Sequence, residues 1–101
     1  MIITVVGLGV VGGSFVKALK GQSHEVYGID IDEKTLQMAK NEGTIIEGFT
    51  DGKEIIAQSD LTIICLYPSL VLKFIKENKF KKGSITVSYT HLRAHETRSN
   101  L

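Results

Sequence analysis

Six residues near the amino terminus, Gly7-Leu8-Gly9-Val10-Val11-Gly12, have the spacing G-x-G-x-x-G. Alone, such a string is a weak signal. Its meaning comes from a β-branched run directly before it and a helical pattern directly after it. Gly7 permits a tight turn, Gly9 lets an anion approach the main chain with no Cβ in the way, and Gly12 lets a helix lie close on a sheet. The helix start then offers unpaired N–H groups around Val10 and Val11, together with the positive end of the helix dipole. This chemistry suits a pyrophosphate and needs no basic side chain; a glycine-rich turn that merely packs is the alternative. A second requirement is a carboxylate about 20 residues on, able to accept hydrogen bonds from a ribose. Asp30 stands there. Asp32 shares its strand parity but is better placed to cap the following helix, so Asp30 is preferred. A carboxylate at this point repels a 2′-phosphate, no Arg follows to receive one, and Lys34 could only assist. NAD is therefore expected rather than NADP.

Other residues carry less. Cys65 lies inside LTIICL, where a buried core thiol accounts for it better than a nucleophile lacking a base. Leu66-Tyr67-Pro68 follows that run at the end of a strand, where open α/β sheets bind ligands. It either lines the nicotinamide side of a cofactor site or is an ordinary strand-ending turn. Ser14 either touches phosphate or serves as a capping or packing hydroxyl. The stretch Lys73, Lys76, Lys79, Lys81 and Lys82 reads as a solvated face complementing a helix dipole. No catalytic residue and no metal ligand are assigned.

These residues need elements to hold them. Ile2–Val6 reads as a strand, Val10–Lys20 as a helix with Val11, Phe15, Ala18 and Leu19 on one face, and Glu25–Asp30 as a second strand. Asp32 can cap a helix over Glu33–Asn41 that closes at Gly43. Thr44–Glu47 is expected as a short third strand and Asp51–Gln58 as a brief helix with Ile55 and Ile56 inward. Leu61–Leu66 has the continuous apolar character of a strand buried on both faces. Pro68 ends it, and Ser69 starts a helix that turns Leu70, Phe74 and Ile75 inward. Ser84–Thr86 begins a fifth strand. Strands alternating with helices imply an α/β fold, a Rossmann-like doubly wound parallel sheet with right-handed crossovers.

Length and charge narrow the class. A chain of 101 residues is one domain or part of one. A net charge of +1 argues against a dedicated nucleic-acid binder. No apolar run approaches the ~20 residues a membrane span needs. A single cysteine and the absence of a signal-like amino terminus point to a cytoplasmic protein.

The composition has a seam. All ten Lys fall between Lys17 and Lys82, where there is no Arg; Arg93 and Arg98 lie beyond, with His91 and His95. Twelve Ile lie between Ile2 and Ile85 and none follow. Residues 87–97, VSYTHLRAHET, resemble the translation of a transposase adapter used in preparing sequencing libraries. Residues 1–86 are thus expected to be an incomplete dinucleotide-binding domain, truncated after its fifth strand, and 87–101 a non-native tail. His91 and His95 imitate a helical metal pair but belong to that tail.

Within residues 1–86, GLGVVGGSFVKAL, with its extra Gly13-Ser14, resembles the loop of the prephenate dehydrogenase family. VYGIDID resembles that family's second strand, with Asp30 at the ribose position, and SDLTIICLYP, LKFIKEN and KKGSI resemble its fourth strand, next helix and fifth-strand approach. The resemblance implies a parent enzyme that oxidatively decarboxylates prephenate, or acts on arogenate, in tyrosine biosynthesis. It also implies a cofactor-dependent hydride transfer and a homodimer built through a helical domain. The family's catalytic histidine and substrate-facing segment have no counterparts here. Front halves of 3-hydroxyisobutyrate dehydrogenase or pyrroline-carboxylate reductase type, or a non-catalytic NAD-sensing module, are the alternatives.

Overall fold

The computed structural model describes residues 1–89; the pair His91 and His95 lies outside them. Five strands form one parallel sheet. They are β1 (Ile2–Val6), β2 (Glu25–Ile29), β3 (Glu47–Phe49), β4 (Leu61–Ile64) and β5 (Ile85–Ser88), in the order β3-β2-β1-β4-β5. Four helices connect them: α1 (Val10–Leu19), α2 (Glu33–Asn41), α3 (Lys53–Ile56) and α4 (Pro68–Glu77). From β1 the chain winds outward through β2 and β3, then returns through α3 to β4 on the other side of β1. The direction reverses between β1 and β4, and the ends of those two strands flank a crevice.

Both faces of the sheet are covered, so the strands alternate between two apolar layers. Ile3, Val5, Val26, Ile63 and Cys65 pack with Val16 of α1 and with Leu36 and Ala39 of α2. Val6, Ile29 and Ile64 pack on the opposite face with Ile55 and Ile56 of α3, against Val71 and Phe74 of α4. Buried hydroxyls sit in the sheet and against it. Thr4 and Ser59 hydrogen-bond each other at 2.6 Å, and Ser59 Oγ donates to the Ile55 carbonyl. Thr62 is wholly buried with its hydroxyl unpartnered among the described residues.

Several boundaries differ from expectation. The third strand is Glu47–Phe49 rather than Thr44–Glu47. Ile45 is a core residue of the approach, and the pairing residues include Gly48, where a Cβ would lie 2.8 Å from Leu36. The brief helix contracts to Lys53–Ile56, with Ile55 and Ile56 inward. Helix α4 begins at Pro68 rather than Ser69, because proline's missing N–H costs nothing in a first turn. The inward residues of α4 are Val71 and Phe74, whereas Leu70 and Ile75 are exposed. On α1 Gly12 and Val16 are buried and Val11, Phe15 and Leu19 pack against the core as expected, whereas Ala18 faces solvent. Strand β5 extends two residues past Thr86, with Val87 and Ser88 in register with Ile63 and Ile64.

Strand β5 is exposed along its length. Ile85 and Val87 share the α1 side of the sheet with Leu61 and Ile63, and Tyr89 meets Phe15 of α1 edge-on at 5.8 Å. At the other end of the strands, the Asp60 carboxylate accepts a hydrogen bond from Ile2 N–H at 2.8 Å and pairs with Lys81. This fastens the starts of β1 and β4 to the approach of β5.

Candidate functional site

Strand β1 ends at Val6 and the chain turns at Gly7 with φ +88°, a left-handed conformation that glycine adopts without steric cost. Gly7 N–H donates to the Ile29 carbonyl at 2.7 Å, holding the turn between β1 and β2. A Cβ on Gly7 would come 2.6 Å from the Cys65 carbonyl oxygen, so the turn also abuts the end of β4. Gly12 is needed for a different reason: its Cβ would lie 1.7 Å from the Gly7 carbonyl oxygen. Helix α1 therefore rests directly on the turn that precedes it.

Gly9 contrasts with both. Its φ is −71° and nothing lies within 4 Å of where its Cβ would stand, so no intramolecular contact demands glycine there. It is the N-cap of α1 and supplies no side-chain cap, and no acidic residue occupies the first turn. The first helical bond runs from Gly13 N–H to the Gly9 carbonyl. Ahead of it, the N–H groups of the first turn lack intrahelical acceptors, so this end of α1 attracts anions. Val10 is 89% exposed beside it. Ser14 is exposed, and its Oγ donates back to the Val10 carbonyl at 2.9 Å.

Asp30 directly follows β2 and faces this turn. Its Oδ2 accepts from Leu8 N–H at 2.8 Å and its Oδ1 from Asp32 N–H at 2.9 Å. The carboxylate is thus fixed against the loop, and each oxygen keeps a lone pair for a further donor. Asp32 is engaged elsewhere, accepting from Lys34 N–H at 3.0 Å and from the Thr35 hydroxyl as the N-cap of α2. Asp32 thus caps α2 as its spacing suggests, while Asp30 faces the turn.

Gly7 and Asp30 both open onto a cleft of about 520 Å³. Its floor is apolar, with Val6, Ile29, Leu66 and Phe74, and residues 50–53 after β3 close one end. Leu66 is part of this wall. Tyr67 and Pro68 are not: Tyr67 is the N-cap of α4 and Pro68 its first residue, and both are exposed. Sequence reasoning missed Ile31, residues 50–53 and Lys73. Lys73, placed there on a solvated face, lines the cleft. Ile31 had a signal, since an isoleucine between two aspartates has no place in a core; it is 92% exposed at the lip. Cys65 is buried, which pushes its thiol up and suits a packing role. Among the described residues no group of three or more His, Cys, Asp or Glu could hold a metal. No helix among them is long and apolar enough to cross a membrane.

Solved structures share this architecture. Prephenate dehydrogenase from A. aeolicus, in complex with hydroxyphenyl propionate and NAD+, is 24% identical with a TM-score of 0.80, over 87% of this chain and 32% of that one. Synechocystis arogenate dehydrogenase is 20% identical with a TM-score of 0.83, over 97% and 36%. The 1-pyrroline-5-carboxylate reductase of Streptococcus pyogenes is 24% identical with a TM-score of 0.73, over 89% and 34%. At these identities the likeness is one of fold, and the chain spans about a third of the length of each protein. No curated protein matches the sequence. The family described as the NAD binding domain of 6-phosphogluconate dehydrogenase matches residues 2–100. The glycine turn, the facing carboxylate and the parallel sheet thus lie in a chain that belongs to that family of NAD-binding domains.

Proposed function

We propose that this chain is the cofactor-binding part of an NAD-dependent prephenate or arogenate dehydrogenase. The observation that carries the reading is the Asp30 carboxylate hydrogen-bonded to Leu8 N–H across the crevice, within a loop that continues as Gly13-Ser14. The fold likeness to prephenate and arogenate dehydrogenases supports it. The residues present fit the cofactor. The uncapped N–H groups at Gly9, Val10 and Val11 face the diphosphate, and the open space at Gly9 leaves room for it. Gly7 and Gly12 shape the turn, Leu8 ties it to Asp30, Asp30 takes the ribose hydroxyls, and Leu66 walls the cleft toward the nicotinamide side. When bound, NAD supplies the hydride acceptor. The chain's own residues orient it, and the catalytic groups belong to the remainder of the parent. On this reading residues 1–86 are native to the domain and 87–101 are not. Tyr67 and Pro68 then line the nicotinamide side only together with that remainder, which also supplies the substrate pocket and the dimer contacts.

A second reading, a reductase of the pyrroline-carboxylate type, has support of the same kind, since the Streptococcus pyogenes enzyme shares this fold with a TM-score of 0.73. The deciding experiment assays the full-length parent with NAD and either prephenate or arogenate, following NADH absorbance. Turnover of one of them is expected. No turnover of either, with active controls, refutes the proposal. Genomic reads across the codon for Thr86 test the seam, since native reads continuing into residue 87 and beyond would remove it.

A further inference from the structure

A second concavity lies between α1 and α2 and shares no lining residue with the cleft that holds Asp30. It is a groove of about 410 Å³ whose floor is formed by the buried Leu8, Val16, Ala39 and Thr44. Along part of its wall α1 offers no side chain. A Cβ on Gly9 would meet nothing within 4 Å, and one on Gly13 only the Leu8 carbonyl oxygen at 3.7 Å. On the facing rim stands Met38 of α2, apolar and yet 62% exposed. A pliable methionine beside an unfilled apolar groove is a knob next to a hole.

The charges decide what fills it. Lys17 of α1 and Glu42, which follows α2, both line the groove and are exposed, but neither forms an ion pair among the described residues. Lys20 donates instead to the Glu42 main-chain carbonyl at 2.7 Å, which leaves the Glu42 carboxylate without a partner. Helices α1 and α2 are successive crossovers between neighbouring parallel strands, so they run side by side in the same direction. A two-fold axis along the groove therefore sets α1 of one copy against α2 of another at equal height. Lys17 then meets Glu42 of the second copy, and Met38 enters the gap left at Gly9 and Gly13, each contact being made twice. We propose that the α1–α2 groove is a self-association surface and that its occupant is a second copy of this chain. Twelve residues line it, against about 20–30 a side in a standard interface, so the dimer is weak, with a Kd on the order of 100 μM. The inference stands apart from the cofactor assignment, since the groove and the cleft are separate.

Sedimentation equilibrium of the 101-residue chain tests it, in a Val87→Lys background so that the exposed β5 edge contributes nothing. A reversible monomer–dimer equilibrium is expected. Lys17→Glu and Glu42→Lys should each weaken it by about fivefold or more, because each sets two pairs of like charges face to face. Combined, they should restore it to within about twofold of the background, since the pairs are re-formed with their signs exchanged. Met38→Glu should abolish association up to ~1 mM. All three positions are exposed, and circular dichroism melting verifies that each variant is folded. A chain that stays monomeric at ~1 mM overturns the inference. So does a dimer that Met38→Glu leaves intact, or a double variant that associates no better than the single ones.

Discussion

Two neighbouring glycines of α1 provide a sharp internal comparison. A methyl group at Gly12 would stand 1.7 Å from the Gly7 carbonyl oxygen and 2.8 Å from its carbon, both main-chain atoms that cannot rotate aside. Helix and turn must separate by more than an ångström to admit it. Such overpacking typically costs about 1–3 kcal/mol, whereas replacing a helical glycine by alanine recovers at most about 1 kcal/mol. At Gly13 the nearest neighbour of the same methyl is the Leu8 carbonyl oxygen at 3.7 Å, an ordinary contact. There the helix gain stands almost alone. Gly13→Ala is expected to stabilise the chain by about 0.5–1 kcal/mol and Gly12→Ala to destabilise it by up to about 2 kcal/mol. In a domain of this size 1 kcal/mol moves Tm by roughly 4–8 °C, so the two variants should melt about 10 °C apart, on opposite sides of wild type. Thermal unfolding followed by circular dichroism measures this directly. If Gly12→Ala melts at or above wild type, close seating of α1 on the turn is not what requires glycine there.

Three more outcomes follow from particular contacts. Asp30→Ala removes the proposed ribose acceptor and leaves Leu8 and Asp32 N–H groups unpaired, so NAD affinity should fall by about 10- to 100-fold in calorimetric titration; an unchanged Kd would remove Asp30 from the site. Thr62→Val deletes a buried unpartnered hydroxyl while keeping its shape, and should raise stability by about 1 kcal/mol in urea unfolding. A loss there would reveal a partner for that oxygen. The hydrogen bond from Lys81, and next the one from Ile2 N–H, hold the Asp60 carboxyl below its ordinary value. Its stabilising effect is therefore full above the unfolded carboxyl pKa and disappears as pH falls through the lower folded value. Melting temperature should drop more steeply below about pH 4 for wild type than for Asp60→Asn, and parallel curves would show that the contact contributes nothing.

The parts of the fold legible in the sequence are those where one physical demand acts alone. Strand β1 and helix α2 appear with the limits expected of them, because IITVV faces apolar layers on both sides and Asp32 caps its helix with its own side chain. Strand β3 lies later than its apolar signal because two demands conflict. The apolar signal sits in Ile45, whereas the paired residues include a glycine that makes room for Leu36. The inward face of α4 is not legible, because Leu70, Val71, Leu72, Phe74 and Ile75 offer apolar side chains nearly all round and periodicity cannot choose a side. In the site, the turn and Asp30 were legible from local spacing. Ile31, residues 50–53 and Lys73 were not, since only the sheet order brings the ends of β2, β3 and β4 to one cleft.

The open flank at β5 has a practical outcome. Between Gly83 and Tyr89 the chain carries no charge, and Ile85, Val87 and Tyr89 meet water on one face. Among the described residues such a rim is an adhesive margin for a stray polypeptide, with Lys82 just ahead of it as a charge that repels a newcomer. Val87→Lys would place a charge on this margin and should lower association at high concentration.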